Sequence, residues 1–217
     1  MFPDLTRDDV FRLETARLWL RWPRQADVQA IVREAGDKAV AEMTAVIPHP
    51  YPPAEADALV LRARTENANG TGLTMAITPK ARPNELIGIV GIKGPTATTP
   101  EPFIGYWLGR THWGKGLATE AARAMIDAAF AYTLADELTA STRVVNPASR
   151  RVLEKCGFAY QGSGLREFRV QGGLHAVDHF RLDRRAWKSL KAWGHTDLVP
   201  EKKRADHPQA AVFAGAK

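Results

Sequence analysis

Cysteine is nearly absent from this chain. Only one of its 217 residues is a cysteine, Cys156, which excludes an internal disulfide and a zinc site built from cysteines. Without a second cysteine, the redox compartment stays undetermined. No histidine lies close to Cys156 in the sequence, and its neighbours Val152 and Leu153 are apolar. We therefore interpret Cys156 as a small buried side chain rather than a nucleophile.

Long apolar runs are also missing, and none of those present could cross a bilayer. The first eleven residues, MFPDLTRDDVF, carry acidic side chains where a signal peptide would have a positively charged end followed by an apolar stretch. We therefore expect a cytoplasmic protein that does not contact a membrane.

Blocks of basic residues are missing as well, although the chain has a formal net charge of +6. The surplus Lys and Arg residues are dispersed. They do not alternate with aromatic residues, as stacking on single-stranded nucleic acid would require. We interpret the surplus as a solvated surface and expect no direct contact with nucleic acid.

Hydrophobic periodicity predicts a single mixed α+β domain. The predicted strands cover residues 13–22, 73–78, 86–92, 103–109, 137–145, 158–170 and 174–182, and the predicted helices cover residues 25–37, 117–132, 146–157 and 184–193, with a further helix that ends at Gly70. We find no internal repeat and no dividing linker. We predict an N-terminal extension at residues 1–12, the domain at 13–193 and a polar, mobile C-terminal tail at 194–217.

The stretch RTHWGKGLAT, residues 110–119, lies where a predicted strand becomes a helix. Gly114 and Gly116 have no Cβ, so the backbone there can approach a ligand closely. The first-turn N–H groups of a helix have no intrahelical acceptor and lie at the positive end of the helix dipole. The stretch therefore predicts a phosphate-binding loop.

Three phosphate ligands fit this loop to different degrees. Gly109, Gly114 and Lys115 match the spacing of a nucleoside-triphosphate loop, but Gly116 stands where a Ser or Thr must hold magnesium. GKGLAT also resembles a dinucleotide fingerprint, but a meander and a hairpin follow instead of repeated strand-helix units. The third ligand is a pyrophosphate held by backbone amides without a metal, as in coenzyme A.

Two segments, YWLGRTHWGKGLATEAARAMIDAAF and NPASRRVLEKCGF, resemble the acetyl-CoA-binding motifs of the Gcn5-related N-acetyltransferases (GNAT). The similarity points to the branch with the ribosomal-protein N-terminal acetyltransferases and covers residues 13–182. It implies a GNAT-like α+β domain: a twisted, mixed, mostly antiparallel sheet flanked by helices, with a splayed strand pair forming the acetyl-CoA cleft. One departure is Thr111, which stands where the family usually has Gln or Arg.

The resemblance also implies roles for individual residues, with acetyl-CoA as co-substrate and no metal. Main-chain groups of Trp107 and Leu108 would bind the pantetheine arm, and Asn146 would contact it. The amide loop would hold the diphosphate, and Arg151 or Lys155 would reach the phosphates at the adenosine end. The remaining predicted cofactor-binding residues are those of the loop: Trp113, Gly114, Lys115, Gly116, Leu117, Ala118 and Thr119.

The expected reaction is direct attack of a neutral amine on the thioester. By resemblance, Ser149 gives the leaving thiolate a proton, although a Ser in a first helical turn is also a common cap. Phe103 replaces the glutamate that many relatives carry as general base, so our first candidate is Glu101, two residues earlier on the same face. Other candidates are Glu42, His49, His112 and Asp178.

The sequence leaves three functions open, and the third, a nucleoside-triphosphate-binding protein, would show magnesium-dependent nucleotide binding, which we expect to be absent. The first is an N-acetyltransferase, which is an acyltransferase acting on a protein N-terminal α-amine or a small amine. The weak set of candidate bases favours those acceptors over a buried lysine. The second is a catalytically silent module that senses acyl-CoA, and its support is Phe103 in place of the usual acid. The oligomeric state also stays open, with a homodimer as one option.

Overall fold

Eight strands form one sheet in the computed structural model, which describes residues 1–96, 100–168 and 170–194. The strands are β1 (Arg12–Glu14), β2 (Leu18–Arg21), β3 (Gly72–Pro79), β4 (Gly88–Lys93), β5 (Phe103–Leu108), β6 (Glu137–Arg143), β7 (Ala159–Glu167) and β8 (Leu174–Asp183). Their spatial order is β1-β2-β3-β4-β5-β6-β8-β7. Neighbouring strands are antiparallel except β5 and β6, which are parallel. The predicted mixed, mostly antiparallel sheet is confirmed.

Six α-helices accompany the sheet in the described part of the chain. They are α1 (Val28–Ala35), α2 (Lys38–Ala41), α3 (Pro53–Ala68), α4 (Leu117–Tyr132), α5 (Pro147–Lys155) and α6 (Arg184–Gly194). None of them is long and apolar enough to span a membrane. The predicted C-terminal tail lies, from residue 195 onward, outside the described residues.

The single strand predicted at residues 13–22 is wrong. The chain reverses after Glu14, and β1 and β2 pair antiparallel, with Leu13 opposite Leu20. Thr15 closes the turn: its hydroxyl accepts from the Leu18 N–H at 2.9 Å, and its own N–H donates to the Leu18 carbonyl at 3.0 Å. Apolar alternation continues through both strands, so periodicity alone does not reveal the reversal.

Two apolar clusters cover the two faces of the sheet. One joins α4 and α5 to the sheet, and Met125 and Phe130 are almost fully buried in it. The other joins α1 and α3 to Ala76 and Ile89 of β3 and β4. The N-terminal residues contribute as well, since Phe2 is only 1% exposed and packs in the first cluster. Helices therefore pack against both faces of the middle strands.

Candidate active site

The parallel strands β5 and β6 touch at only one place. Phe103 is paired with Thr139, whose N–H donates to the Pro102 carbonyl at 2.9 Å. β5 pairs with β4 along its full length, so its other edge has no strand partner from Ile104 to Leu108. The predicted splayed strand pair is therefore present, and it leaves an open backbone edge on which an extended group can bind.

A cavity of about 1430 Å³ occupies the gap between the two strands. On one side it is lined by the loop before α4 and by the first turns of α5. On the other side it is lined by residues 43–47, between α2 and α3, and by the β7–β8 hairpin. The two sides meet at the splayed strands, so a ligand on one side can react with a ligand on the other.

The loop before α4 presents a row of unused backbone donors. Within the described chain, no hydrogen bond involves the N–H groups of residues 114–119, and the first turn of α4 has no side-chain cap. Gly114 and Gly116 adopt left-handed conformations, with φ of 73° and 74°, which glycine reaches without strain. A Cβ on Gly114 would meet nothing within 4 Å. The loop therefore presents backbone N–H groups without partners among the described residues on the cavity wall, next to open space.

The β1–β2 turn holds this loop in place. The Arg17 guanidinium donates to the Lys115 carbonyl at 2.9 Å and to the Glu120 carboxylate at 2.6 Å. Glu120 also accepts from the Thr15 hydroxyl at 2.6 Å and from the Arg17 N–H at 2.7 Å. Burial alone would raise the pKa of Glu120, but the hydrogen bonds from Thr15 and Arg17 outweigh it, so the pKa is lowered from its ordinary value of 4.5.

Replacing this carboxylate should destabilise the protein in a pH-dependent way. We expect Glu120→Gln to lower the free energy of unfolding by about 1 kcal/mol at pH 7, since the partner Arg17 is half-exposed and screened by water. A carboxylate whose pKa is lowered by folding stabilises the protein at pH values above its pKa in the unfolded chain. This stabilisation is lost as the pH falls through its pKa in the folded protein. The difference between variant and parent should therefore shrink below about pH 4.

Urea unfolding at pH 7 and pH 3.5 checks this prediction, with Glu85→Gln as the control. Glu85 forms a surface pair with Arg82 at 2.9 Å, and its loss should cost under about 0.5 kcal/mol. Equal losses of unfolding free energy in the two variants at pH 7 would contradict the stabilising role that we assign to Glu120.

Two hydroxyl groups meet at the start of α5. The Asn146 side chain caps this helix by accepting from the Ser149 N–H at 3.0 Å. The Tyr106 hydroxyl, from β5, lies 3.1 Å from Ser149 Oγ and 3.2 Å from the Ser149 carbonyl oxygen. Burial raises the pKa of Tyr106, so its phenol stays protonated at neutral pH. Two hydroxyl groups therefore lie in contact on the cavity wall.

Sequence reasoning missed Tyr106. It predicted the strand and the helix separately, and the contact joins residues 43 positions apart. The one available indication was a tyrosine next to Trp107, in the strand that leads into the glycine loop.

The cavity brings together most of the predicted site residues. Those that line it are Trp107, Leu108, Trp113, Gly114, Gly116, Leu117, Ala118, Thr119, Asn146, Ser149, Arg151 and Lys155. Two predicted residues are not among the lining residues. Lys115 folds back to donate from Nζ to the Thr111 carbonyl at 2.8 Å, and Glu101 precedes β5. The roles of all these residues stay predictions.

Of the other candidate bases, only His112 lines the cavity. The Asp178 carboxylate is already bound by the Ser163 hydroxyl at 2.6 Å and by Arg150 at 3.2 Å. His49 Nδ1 lies 2.9 Å from the Gly36 carbonyl oxygen. Among the described residues, the carboxylates in the cavity lining belong to Glu55 and Glu66.

Cys156 is buried at the end of α5, and its Sγ lies 3.9 Å from the Thr119 carbonyl oxygen. Burial raises the pKa of this thiol to about 11, and the nearby Arg123 offsets only part of the effect. The thiol is therefore protonated at neutral pH and is a poor nucleophile, in agreement with its interpretation as a buried side chain.

Comparisons with known proteins agree with this geometry. The curated relative "Probable N-acetyltransferase YjcK" from Bacillus subtilis is 38% identical over 96 residues, which are 42% of this chain and 51% of the relative. The match thus spans about half the length of that relative. The solved structure of RimL, a ribosomal L7/L12 α-N-protein acetyltransferase in complex with coenzyme A, superposes with a TM-score of 0.69 at 19% identity. That match covers 81% of this chain and 99% of RimL.

The spermidine N-acetyltransferase of Vibrio cholerae, solved with coenzyme A and spermine, superposes with a TM-score of 0.65 at 19% identity. The match covers 79% of this chain and 98% of the spermidine enzyme. A family model described as an acetyltransferase (GNAT) domain matches residues 17–159, which is well over half of the chain. This match includes the splayed strands, the glycine loop and α5. The chain therefore belongs to the GNAT family of acetyltransferase domains, as the two sequence motifs predicted.

Proposed function

We propose that this chain is an acetyl-CoA-dependent N-acetyltransferase that moves an acetyl group to a primary amine by direct attack on the thioester. The observation that carries the proposal is the row of unused N–H groups at residues 114–119, at the wide end of the gap between β5 and β6. A diphosphate on these amides would leave the rest of the carrier to extend along the open edge of β5. Family membership and the complexes of RimL and the spermidine enzyme with coenzyme A support it.

The wall of the cavity suits each part of such a carrier. Leu108 offers its main-chain N–H to the pantetheine arm, while its carbonyl accepts from the Trp113 indole N–H at 2.7 Å, which holds the loop against the end of β5. Trp107 pairs with Ile89 of β4, so its main-chain groups face β4 rather than the open edge, contrary to the role predicted for them. Arg151 and Lys155 on α5 also line the cavity and provide positive charge for the phosphates at the adenosine end.

Ser149 and Tyr106 are the proposed source of the proton that the leaving thiolate needs. As the amine nitrogen bonds to the carbonyl carbon, the carbon–sulfur bond breaks and negative charge develops on sulfur. The Ser149 hydroxyl can donate to that sulfur while the Tyr106 hydroxyl, 3.1 Å away, stabilises the Ser149 oxygen. The N-terminal end of α5 adds a favourable dipole. The nitrogen loses one proton to solvent or to a weak base.

The acceptor is proposed to be a peptide N-terminal α-amine or a small amine. A lysine side chain, with a pKa near 10.4, loses about 4.6 kcal/mol in becoming neutral at pH 7, whereas an α-amine near 7.8 loses about 1 kcal/mol. Among the described residues, the cavity carboxylates are Glu55 and Glu66, and Glu66 is paired with Lys93 at 3.4 Å. Because one of these two carboxylates is already paired, an easily deprotonated amine suits the cavity better.

Thiol release from acetyl-CoA tests the proposal. We expect the purified protein to release free coenzyme A with at least one member of a panel of peptides and small amines, and mass spectrometry should find the acetylated amine. Binding of acetyl-CoA by calorimetry without thiol release across the panel would instead support the silent acyl-CoA sensor. The cytoplasmic location and the homodimer stay predictions.

A further inference from the structure

The side of the cavity opposite the glycine loop carries uncompensated positive charge. Arg143 and Arg166 both line it, and neither lies within 4.0 Å of a carboxylate in the described part of the chain. Arginines facing a cavity without an acidic partner are available to a ligand, and the planar guanidinium matches a carboxylate in a bidentate manner.

Arg166 lies where the two strands begin to separate. It extends from β7 across the face of the sheet, and its Nη1 donates to Ser141 Oγ on β6 at 2.8 Å. Its guanidinium also lies 5.7 Å from the centre of the Phe103 ring on β5. Phe103 and Thr139 mark the narrow end of the gap. A carrier anchored by its diphosphate at the wide end would direct its reacting end toward this position.

Arg143 is fixed in place, but its charge is not neutralised. Its guanidinium donates to the Glu42 carbonyl and to His175 Nδ1, the latter at 3.1 Å, and it lies 5.8 Å from the centre of the Phe168 ring. Its Nε is buried without a hydrogen-bond partner. His175 Nε2 lies 3.1 Å from the Gly172 carbonyl oxygen, which leaves Nδ1 as the ring nitrogen that faces Arg143.

The other charges on this side do not cancel the two arginines. Lys93 is paired with Glu66, and Arg62 and Glu55 both line the same wall from α3. The wall thus holds two carboxylates against four cationic side chains, namely Arg62, Lys93, Arg143 and Arg166. The surplus favours an acceptor that carries negative charge near its amine and disfavours a polyamine.

We propose that the acceptor bears a carboxylate close to the amine that is acetylated, and that Arg166 binds this carboxylate with Arg143 as a second contact. The inference rests on the proposed function and narrows its substrate class. This carboxylate can belong to either of two kinds of acceptor. It is an acidic side chain within the first residues of a peptide, or the α-carboxylate of a free amino acid.

Matched acceptors test the inference. We would measure kcat/KM by thiol release for the peptides Ser-Glu-Glu-Ala-amide, Ser-Gln-Gln-Ala-amide and Ser-Lys-Lys-Ala-amide, for free glutamate and glutamine, and for spermidine. The acidic peptide should exceed its Gln counterpart by at least about tenfold, since a hydrogen-bonded charge pair contributes that much. The Lys peptide and spermidine should be the poorest. Free glutamate reacting faster than the acidic peptide would identify the free amino acid as the source.

Variants assign the preference to Arg166. Arg166→Gln removes the positive charge and should reduce the acidic-over-neutral ratio to within about twofold, and Arg166→Glu should reverse the preference toward the Lys peptide. Arg185→Gln removes the same charge from an exposed position on α6 and should leave the ratio unchanged. Acetyl-CoA binding by calorimetry shows that each variant is folded.

Equal kcat/KM values for the acidic, neutral and basic peptides, with free glutamate and glutamine reacting no faster than these peptides, would overturn this inference and leave the proposed function standing. An unchanged ratio in Arg166→Gln would overturn the role of Arg166. The absence of thiol release with every acceptor would overturn the proposed function itself, and the inference with it.

Discussion

Ser149→Ala should lower the turnover of acetyl transfer by at least about 100-fold and change the affinity for acetyl-CoA by less than about threefold. Loss of a positioned proton donor lowers turnover by about this factor, because the thiolate must then leave without a proton or take one from water. The affinity is spared because the helix cap uses the Ser149 N–H and the Asn146 side chain, neither of which the substitution removes. Thiol release and calorimetry measure the two quantities separately.

Two further variants separate proton donation from packing. Ser149→Thr keeps the hydroxyl and should retain more turnover than Ser149→Ala. Tyr106→Phe keeps the buried ring but removes the hydroxyl 3.1 Å from Ser149 Oγ, and it should cost about tenfold in turnover, because Tyr106 acts only through Ser149. Unchanged turnover in Ser149→Ala would remove both residues from the mechanism and make the contact purely structural.

The sequence was most informative where structure is local. Asn146 followed by Pro147 is a local signal for the start of α5, and the glycine loop was predicted from Gly114 and Gly116. Each of these features is decided by the preferences of neighbouring residues: a short polar side chain before a helix, a fixed φ in its first turn and positive φ in a tight turn. Both features are therefore readable without knowledge of the rest of the fold.

The sequence was least informative where distant segments meet. Nothing local to Thr15 indicates that Glu120, 105 residues later, will accept its hydroxyl, and this contact helps set the β1–β2 turn that was predicted as part of a continuous strand. The same holds for Arg166, which meets Ser141 through β-sheet pairing rather than through spacing along the chain. Tertiary pairing determines these contacts, and periodicity describes only which face a residue occupies.

The choice of Glu101 as the first candidate base depends on where a strand begins. Glu101 was chosen because it lies two residues before Phe103, which places both on one face of an extended strand. β5 begins at Phe103, however, so alternation does not extend back to Glu101, and this side chain is not among those lining the cavity. Spacing arguments of this kind hold only inside a regular element, and the sequence does not fix where the element begins.

A negative charge in the glycine loop should abolish most of the affinity for acetyl-CoA. We expect Gly114→Asp to weaken binding by at least about 100-fold relative to Gly114→Asn, because one carboxylate about 5 Å from a diphosphate repels it by about 3 kcal/mol per unit charge at an effective dielectric constant of about 20. Asp and Asn both tolerate the left-handed conformation that Gly114 adopts, and a Cβ there meets nothing within 4 Å, so the two variants should fold alike.

The Asn variant is the matched control, since it has the same shape as Asp without the charge and should bind within about tenfold of the parent protein. Calorimetry measures the affinity for coenzyme A at two salt concentrations, about 50 mM and about 300 mM. The difference in affinity between the Asp and Asn variants should be smaller at the higher salt concentration, because salt screens the repulsion. Equal affinities in the two variants would mean that the diphosphate binds elsewhere. The amides of residues 114–119 would then lose their assigned ligand, and the proposed function would lose the observation that carries it.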